Sequence, residues 1–263
     1  MRHRPSVEPV VSLSIIEHRY RRVVIKLSGA ALSGAEPIGL DPAALEHVAD
    51  EVLAVAQRGV QIAIVVGGGN FFRGSLAEHW GIDRAEADSV GILGTVMNGL
   101  MLRGVLKARG SREVRVMTAM PIPSAAEPFI RLRAQAHLEK GRLVILAGGI
   151  GQPFVTTDYP AVQRALELEA DALFVAKHGV DAVYSGDPHV DPQACRYDSL
   201  SYAEAIAQDL RIMDPAALIL ARDHDLNLHL FGIEHAGAMT DILKGSNVGT
   251  HVSNSVAGKP ATR

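Results

Sequence analysis

Apolar residues along this chain come in short blocks of two kinds that alternate. Val23–Leu27 (VVIKL), Gln61–Val66, Val114–Met117, Leu143–Ala147, Ala172–Ala176 and Asn227–Phe231 are compact apolar runs, the pattern of strands buried on both faces. Between them, apolar positions recur three and four apart. Leu45, Val48, Ala49, Val52, Leu53 and Ala56 fall on one face of a predicted helix. Asp41 serves as its N-cap, Pro42 takes its first position and Gly59 stops it. Helices are also predicted over Ala85–Lys107, Pro128–Lys140, Ala161–Leu168, Ser201–Gln208, Pro215–Arg222 and near Ala236–Leu243, with a last strand near Gly249–Val252. Gly91, Gly94 and Gly99 weaken the continuity of the second helix. His178–Gln193 reads as a polar, turn-rich stretch.

Such alternation with short links predicts an α/β fold, a three-layer αβα sandwich around a mostly parallel sheet. No repeat, linker or composition break divides it, so residues 20–253 are expected to form one domain. Residues 1–19 read as a flexible extension without a signal-peptide cleavage pattern, and 254–263 as a disordered tail. The apolar stretches are broken by charges or glycines before reaching membrane-span length.

Composition narrows the class. Hydrophobic residues make up 48% and aromatics 5%, so the core is built from Ala, Val, Leu and Ile. The net charge of −3, without a basic run, argues against non-specific nucleic-acid binding. The one cysteine, Cys195, excludes an intramolecular disulfide and fits a reducing compartment. Among the eleven histidines no Cys/His/Asp cluster has structural-zinc spacing, so no protein-held metal is expected.

In a doubly wound sheet, ligands sit at the carboxyl ends of strands. Ser28-Gly29, Gly67-Gly68-Gly69 and Gly148–Gly151 all fall there. Three consecutive glycines leave backbone N–H groups unshielded, suited to phosphate oxygens, and Arg73 adds a planar fork of donors. Neither the P-loop nor G-x-G-x-x-G is completed. A plain tight turn is the alternative. Lys26 stands among apolar strand residues, where a lysine is rare unless paired or bound to an anion. It is either an edge-strand lysine facing water or a cation stabilising a transferring phosphoryl group. Thr156-Thr157-Asp158 opens a helix, either as a simple cap or as a polar ligand site. Asp181, Tyr184, Asp187 and Pro188 form a turn able to hold base and ribose.

Together Lys26–Gly29, Gly67–Gly74, Thr95–Asn98, Phe154–Asp158, Val180–Tyr184 with Asp187-Pro188, and Met213-Asp214 with Ala221–His224 resemble the bacterial uridylate kinase branch of the amino-acid kinase family. The resemblance runs from about Tyr20 to Ser253. It implies transfer of the ATP γ-phosphoryl group to UMP, with Mg²⁺ carried by ATP, in a cytoplasmic homohexamer tuned by GTP and UTP. By that resemblance Lys26, oriented by Asp214, bridges donor and acceptor phosphates. Asp158 and Thr157 complete the transfer site. Gly67, Gly68 and Gly69 donate N–H groups to phosphates. Arg73 grips the acceptor phosphate and Asp88 its ribose. Ser28, Gly29, Asp181, Tyr184 and Asp187 lie along ATP. Ile150 and Gln152 occupy positions where the family has a Thr and an Asn that read uracil. Ala30 and Ala182 replace a usual Glu and Gly. The altered base reader leaves two alternatives: a related phosphotransferase with another small acceptor, and a non-catalytic nucleotide binder.

Overall fold

The computed structural model describes residues 18–260, apart from residues 37, 73–76, 78, 112, 189 and 192. Its centre is β1 (Arg22–Leu27), buried along its whole length. It runs parallel to β2 (Gln61–Val66) on one side and β6 (Ala172–Lys177) on the other, with Lys26 in register with Val65 and Val175. Outward from β2 come β5 (Leu143–Ala147), β3 (Val114–Thr118) and β4 (Glu127–Pro128), all parallel. Outward from β6 come β9 (Asn227–Gly232), parallel, and β10 (Thr250–Val252), antiparallel. β8 (Arg196–Leu200) follows β10, and β7 (Val183–Tyr184) and β11 (Lys259–Pro260) both pair antiparallel with β8. The expected mostly parallel sheet is present.

Strand alternation divides the core into two layers. Val23, Ile25 and Leu27 point toward α2 (Pro42–Ala56), α3 (Arg84–Ala108) and α8 (Ala238–Leu243). Val24 and Val175 point toward α4 (Arg131–Glu139), α5 (Asp158–Glu167), α6 (Tyr202–Ala207) and α7 (Pro215–Asp223). A short helix, Ala30–Ser33, follows β1. Asp41 caps α2 as expected, accepting Ala44 N–H at 2.7 Å. Ser201 and Glu204 close a capping box on α6.

α3 is continuous through its glycines because they serve close approach. A Cβ on Gly99 would stand 3.3 Å from Ile145 Cγ2, so glycine lets α3 lie against the sheet. At 25 residues this helix is long and apolar enough to cross a membrane by length and composition, contrary to the expectation from the sequence. Its Val96, Leu102 and Leu106 are nonetheless buried against the sheet.

Two further expectations change, and one strand, β8, is additional to those predicted. Glu127–Pro128 is a strand, and the helix predicted from Pro128 starts at Arg131. Pairing with β3, extended by Phe129 N–H to Thr118 O at 2.9 Å, holds that segment open. β8 was not legible because RYDSL is polar and only half-buried. The tail expected to be disordered contributes Lys259–Pro260 to β8, an edge strand with backbone groups free to pair.

Candidate active site

Lys26 lies on the central strand, 5% exposed, and not at an edge, so it is not a water-facing edge lysine. Its ammonium pairs with Asp158 Oδ1 at 2.8 Å, and Asp158 is the first residue of α5. Burial pushes the Asp158 carboxyl up. Lys26, then Lys177 and the Asp214 backbone N–H, outweigh burial and hold it below the usual carboxylate range. That N–H reaches Asp158 Oδ2 at 3.3 Å.

Asp214 was expected to orient Lys26, but the carboxylate paired with that ammonium is the one of Asp158. The Asp214 carboxylate instead accepts the Thr156 hydroxyl. Its place one residue before Pro215, at the N-cap of α7, aims it at that loop.

The glycine turns interlock. A Cβ on Gly29 would meet Asn70 Oδ1 at 2.5 Å and Asn70 N at 2.6 Å. A Cβ on Gly68 would meet Gly91 O at 2.4 Å, on α3. Gly67–Gly69 were expected to offer three N–H groups to phosphates. Gly67 N–H is already used by Leu27 O at 2.8 Å, because β1 and β2 leave the sheet side by side. Gly68 N–H keeps no partner among the described residues. Ser28 Oγ accepts Ala31 N–H at 3.3 Å. Arg73 lies outside the described residues.

Gly68, Gly69, Asp88, Ile150, Gln152 and Thr157 line one cavity of about 260 Å³, so the acceptor residues expected from sequence are brought together, Arg73 aside. Asp88 Oδ1 accepts Arg84 Nε–H at 2.8 Å and Oδ2 accepts Phe154 N–H at 2.7 Å. Phe154 has φ 66° while 69% exposed, a strained conformation of the kind found at ligand sites. Gly148, Gly149 and Gly151 also have positive φ. Thr95 Oγ1 accepts Gly148 N–H at 2.7 Å and anchors this loop to α3.

A second cavity, about 610 Å³, is lined by Tyr184, Asp187, Leu210 and Lys177 among others. Asp181 does not line it. Its carboxylate accepts the Tyr184 hydroxyl at 2.9 Å and stands 3.5 Å from Arg196, fixing the tyrosine instead. A third, of about 470 Å³, holds Asp158 and Asp214 and shares Lys177, Asp209, Leu210 and Arg211 with the second.

Asn70 and Asn98 stand inside motifs that carry the resemblance but have no role assigned by it, and Lys177 lies outside those motifs. Asn98 was detectable as an amide at a core-facing helix position, and Lys177 as a lysine ending an apolar strand.

The sequence profile of the amino acid kinase family matches residues 21–232, and the chain belongs to that family. A uridylate kinase of Frankia alni is 59% identical over 241 residues, covering 92% of this chain and 94% of that protein. One of Frankia casuarinae is 60% identical over 237 residues, covering 90% and 92%. The solved structure of a UMP kinase from Bacillus anthracis has a TM-score of 0.90 at 50% identity, over 92% of this chain and 99% of that one. That of Ureaplasma parvum has a TM-score of 0.84 at 33% identity, over 89% and 99%.

Proposed function

We propose that this chain transfers the γ-phosphoryl group of ATP to UMP, giving ADP and UDP. The observation that carries the reading is the Lys26–Asp158 pair, 2.8 Å apart, with Asp158 lining the Asp214 cavity and its neighbour Thr157 lining the acceptor cavity. The relatives named uridylate kinase over nearly the whole chain support the same reaction.

Phosphoryl transfer asks a protein for positioning and charge more than for covalent chemistry. A UMP phosphate oxygen forms the new bond to Pγ while the bond from Pγ to the β-phosphate oxygen breaks. Lys26 holds its cation where charge spreads over the moving group, and Asp158 fixes its direction. Gly68 N–H supplies a neutral donor. Asp88 keeps lone pairs for ribose hydroxyls, since each carboxylate oxygen accepts more than one bond. Among the described residues no three His, Cys, Asp or Glu side chains converge on a point. Asp158 and Asp214 flank the centre, a set that suits a Mg²⁺ arriving on nucleotide phosphates and needing one or two carboxylates. Such an ion supplies further charge neutralisation to the phosphates.

A second reading, a related kinase with another acceptor, is favoured by Ile150 and Gln152 in the acceptor cavity. ADP release measured with UMP, dUMP, CMP, TMP or no acceptor decides between them. Turnover strongest with UMP supports the first reading, and none with any pyrimidine monophosphate overturns it. The resemblance extends the proposal to a cytoplasmic homohexamer with GTP and UTP effectors. Val90, Leu93, Met97 and Met101, exposed at 46–50% along one side of α3, support a subunit interface.

A further inference from the structure

Lys177 closes β6 and follows Ala176, which is in register with Leu27 on the central strand. Strand alternation puts it on the same face as Leu173 and Val175, the face that also carries Val24 and Lys26. Two lysines thus crowd one side of adjacent parallel strands. Lys26 is neutralised by Asp158. Lys177 is half-buried and has no carboxylate within ion-pair distance among the described residues. It lines both the cavity of Asp158 and Asp214 and the cavity of Tyr184 and Asp187. Arg211 shares both walls but is solvent-exposed.

A partly desolvated cation without a fixed partner is unfavourable until an anion arrives. Burial and then the Lys26 charge draw the Lys177 ammonium below the ordinary lysine range, while Asp158 and Asp214 act in the opposite sense. The group therefore gains from a dense anion placed between the two cavities. A donor nucleotide lying in the Tyr184 cavity, with its terminal phosphate at Lys26, passes its β- and γ-phosphates across this point.

We propose that Lys177 is a second catalytic cation, contacting the β- and γ-phosphate oxygens of the donor and stabilising the charge left on the β-phosphate. This rests on the ATP-dependent reading above. As the Pγ–O bond breaks, its electron pair stays on the β-phosphate oxygen of ADP. Lys177 remains protonated throughout, so no proton is gained or lost. Lys26 spans donor and acceptor, whereas Lys177 acts on the donor phosphates alone.

The test compares Lys177→Met, Lys177→Gln and Lys177→Arg with the wild type. Turnover is measured with UMP, and calorimetric titrations with ATP, ADP and AMP are run without acceptor. Lys177→Met should lower kcat by about 10²–10³ and weaken ATP and ADP binding about tenfold or more. AMP binding should be unchanged, KM for UMP nearly so, and Lys177→Arg should recover much of the loss. The apo melting temperature of Lys177→Met should equal or exceed that of the wild type, since an unpaired cation is removed; should this variant not fold, Lys177→Gln is read in its place. Turnover within threefold of wild type, or equal losses for ATP and AMP, overturns the proposal. If the wild type fails with every pyrimidine monophosphate but the variants still lose ATP and not AMP affinity, the acceptor reading falls and the phosphate contact stands.

Discussion

Asn70 and Asn98 face each other with their amides paired in both directions. Asn70 Nδ2 donates to Asn98 Oδ1 at 3.1 Å, and Asn98 Nδ2 to Asn70 Oδ1 at 2.7 Å. The remaining donors reach outward, Asn98 to Gly67 O and Asn70 to Gly39 O, each at 2.7 Å. The glycine turn is therefore clamped from below by a side chain of α3. Asn98→Ala should cost about 1–3 kcal/mol, since it strands buried partners. It should also raise KM for the nucleotide substrates by loosening Gly68. Asn98→Asp should be no better, because a carboxylate cannot donate to Gly67 O. Thermal melts and steady-state kinetics check both, and unchanged stability would show the clamp to be dispensable.

Lys26→Ala should lower kcat by on the order of 10²–10³, with ATP binding largely retained. The substitution leaves Asp158 without its cation, so Lys26→Ala combined with Asp158→Asn should be more stable than Lys26→Ala alone. Near-normal turnover would make the lysine structural.

Neighbouring glycines should behave differently. Gly68→Ala drives a Cβ to 2.4 Å from Gly91 O and 2.8 Å from Thr95 N, both backbone atoms that cannot swing aside. It should cost roughly 1–3 kcal/mol. A Cβ on Gly69 meets nothing within 4 Å, so Gly69→Ala should melt like the wild type. If Gly69 borders phosphate, that variant should show its defect in KM alone.

Acceptor preference should trace to Ile150 and Gln152. Ile150→Thr with Gln152→Asn should lower KM for UMP modestly, each regained neutral hydrogen bond contributing about 1 kcal/mol. The UMP-to-CMP turnover ratio should rise with it. A silent double variant would assign base reading to backbone groups of the loop.

Acid should loosen the β9–β10 junction. His229 and His251 stack with centroids 4.5 Å apart and planes 9° apart, and the Tyr20 hydroxyl lies 2.8 Å from His229 Nε2. Burial, then the neighbouring His251 and Arg19, push His229 well below its ordinary value. Burial and Arg19 push His251 down to about 4. Both folded-state values lie below the unfolded value of about 6.5. Between these limits the unfolded chain binds more protons, so stability is fully present above about pH 6.5 and is lost toward about pH 4. A loss on the order of 1 kcal/mol corresponds to about 2–4 °C in a chain of this size. Melting temperatures across that range should fall more steeply in the wild type than in His251→Gln, and parallel curves would remove the pair from the acid response.

Local chemistry and periodicity determined much of this protein. Gln61–Val66 and Leu143–Ala147 are strands at the predicted bounds, and Asp41-Pro42 opens its helix, because apolar runs and caps act within a few residues. The glycine turns and Lys26 pointed to a phosphate site for the same reason: their types are costly unless a ligand or partner repays them. Tertiary structure alone decided the pairings. Asp158, not Asp214, holds Lys26 because α5 starts opposite the end of β1, a relation spanning more than a hundred residues. Gly67 N–H is taken by Leu27 O only because β1 and β2 adjoin. Polar β8 and the Lys259–Pro260 strand exist through sheet edges that offer unpaired backbone groups. Lys177 gains meaning because β6 lies beside β1. Contact between residues distant in sequence depends on the path of the whole chain, and no local pattern encodes it.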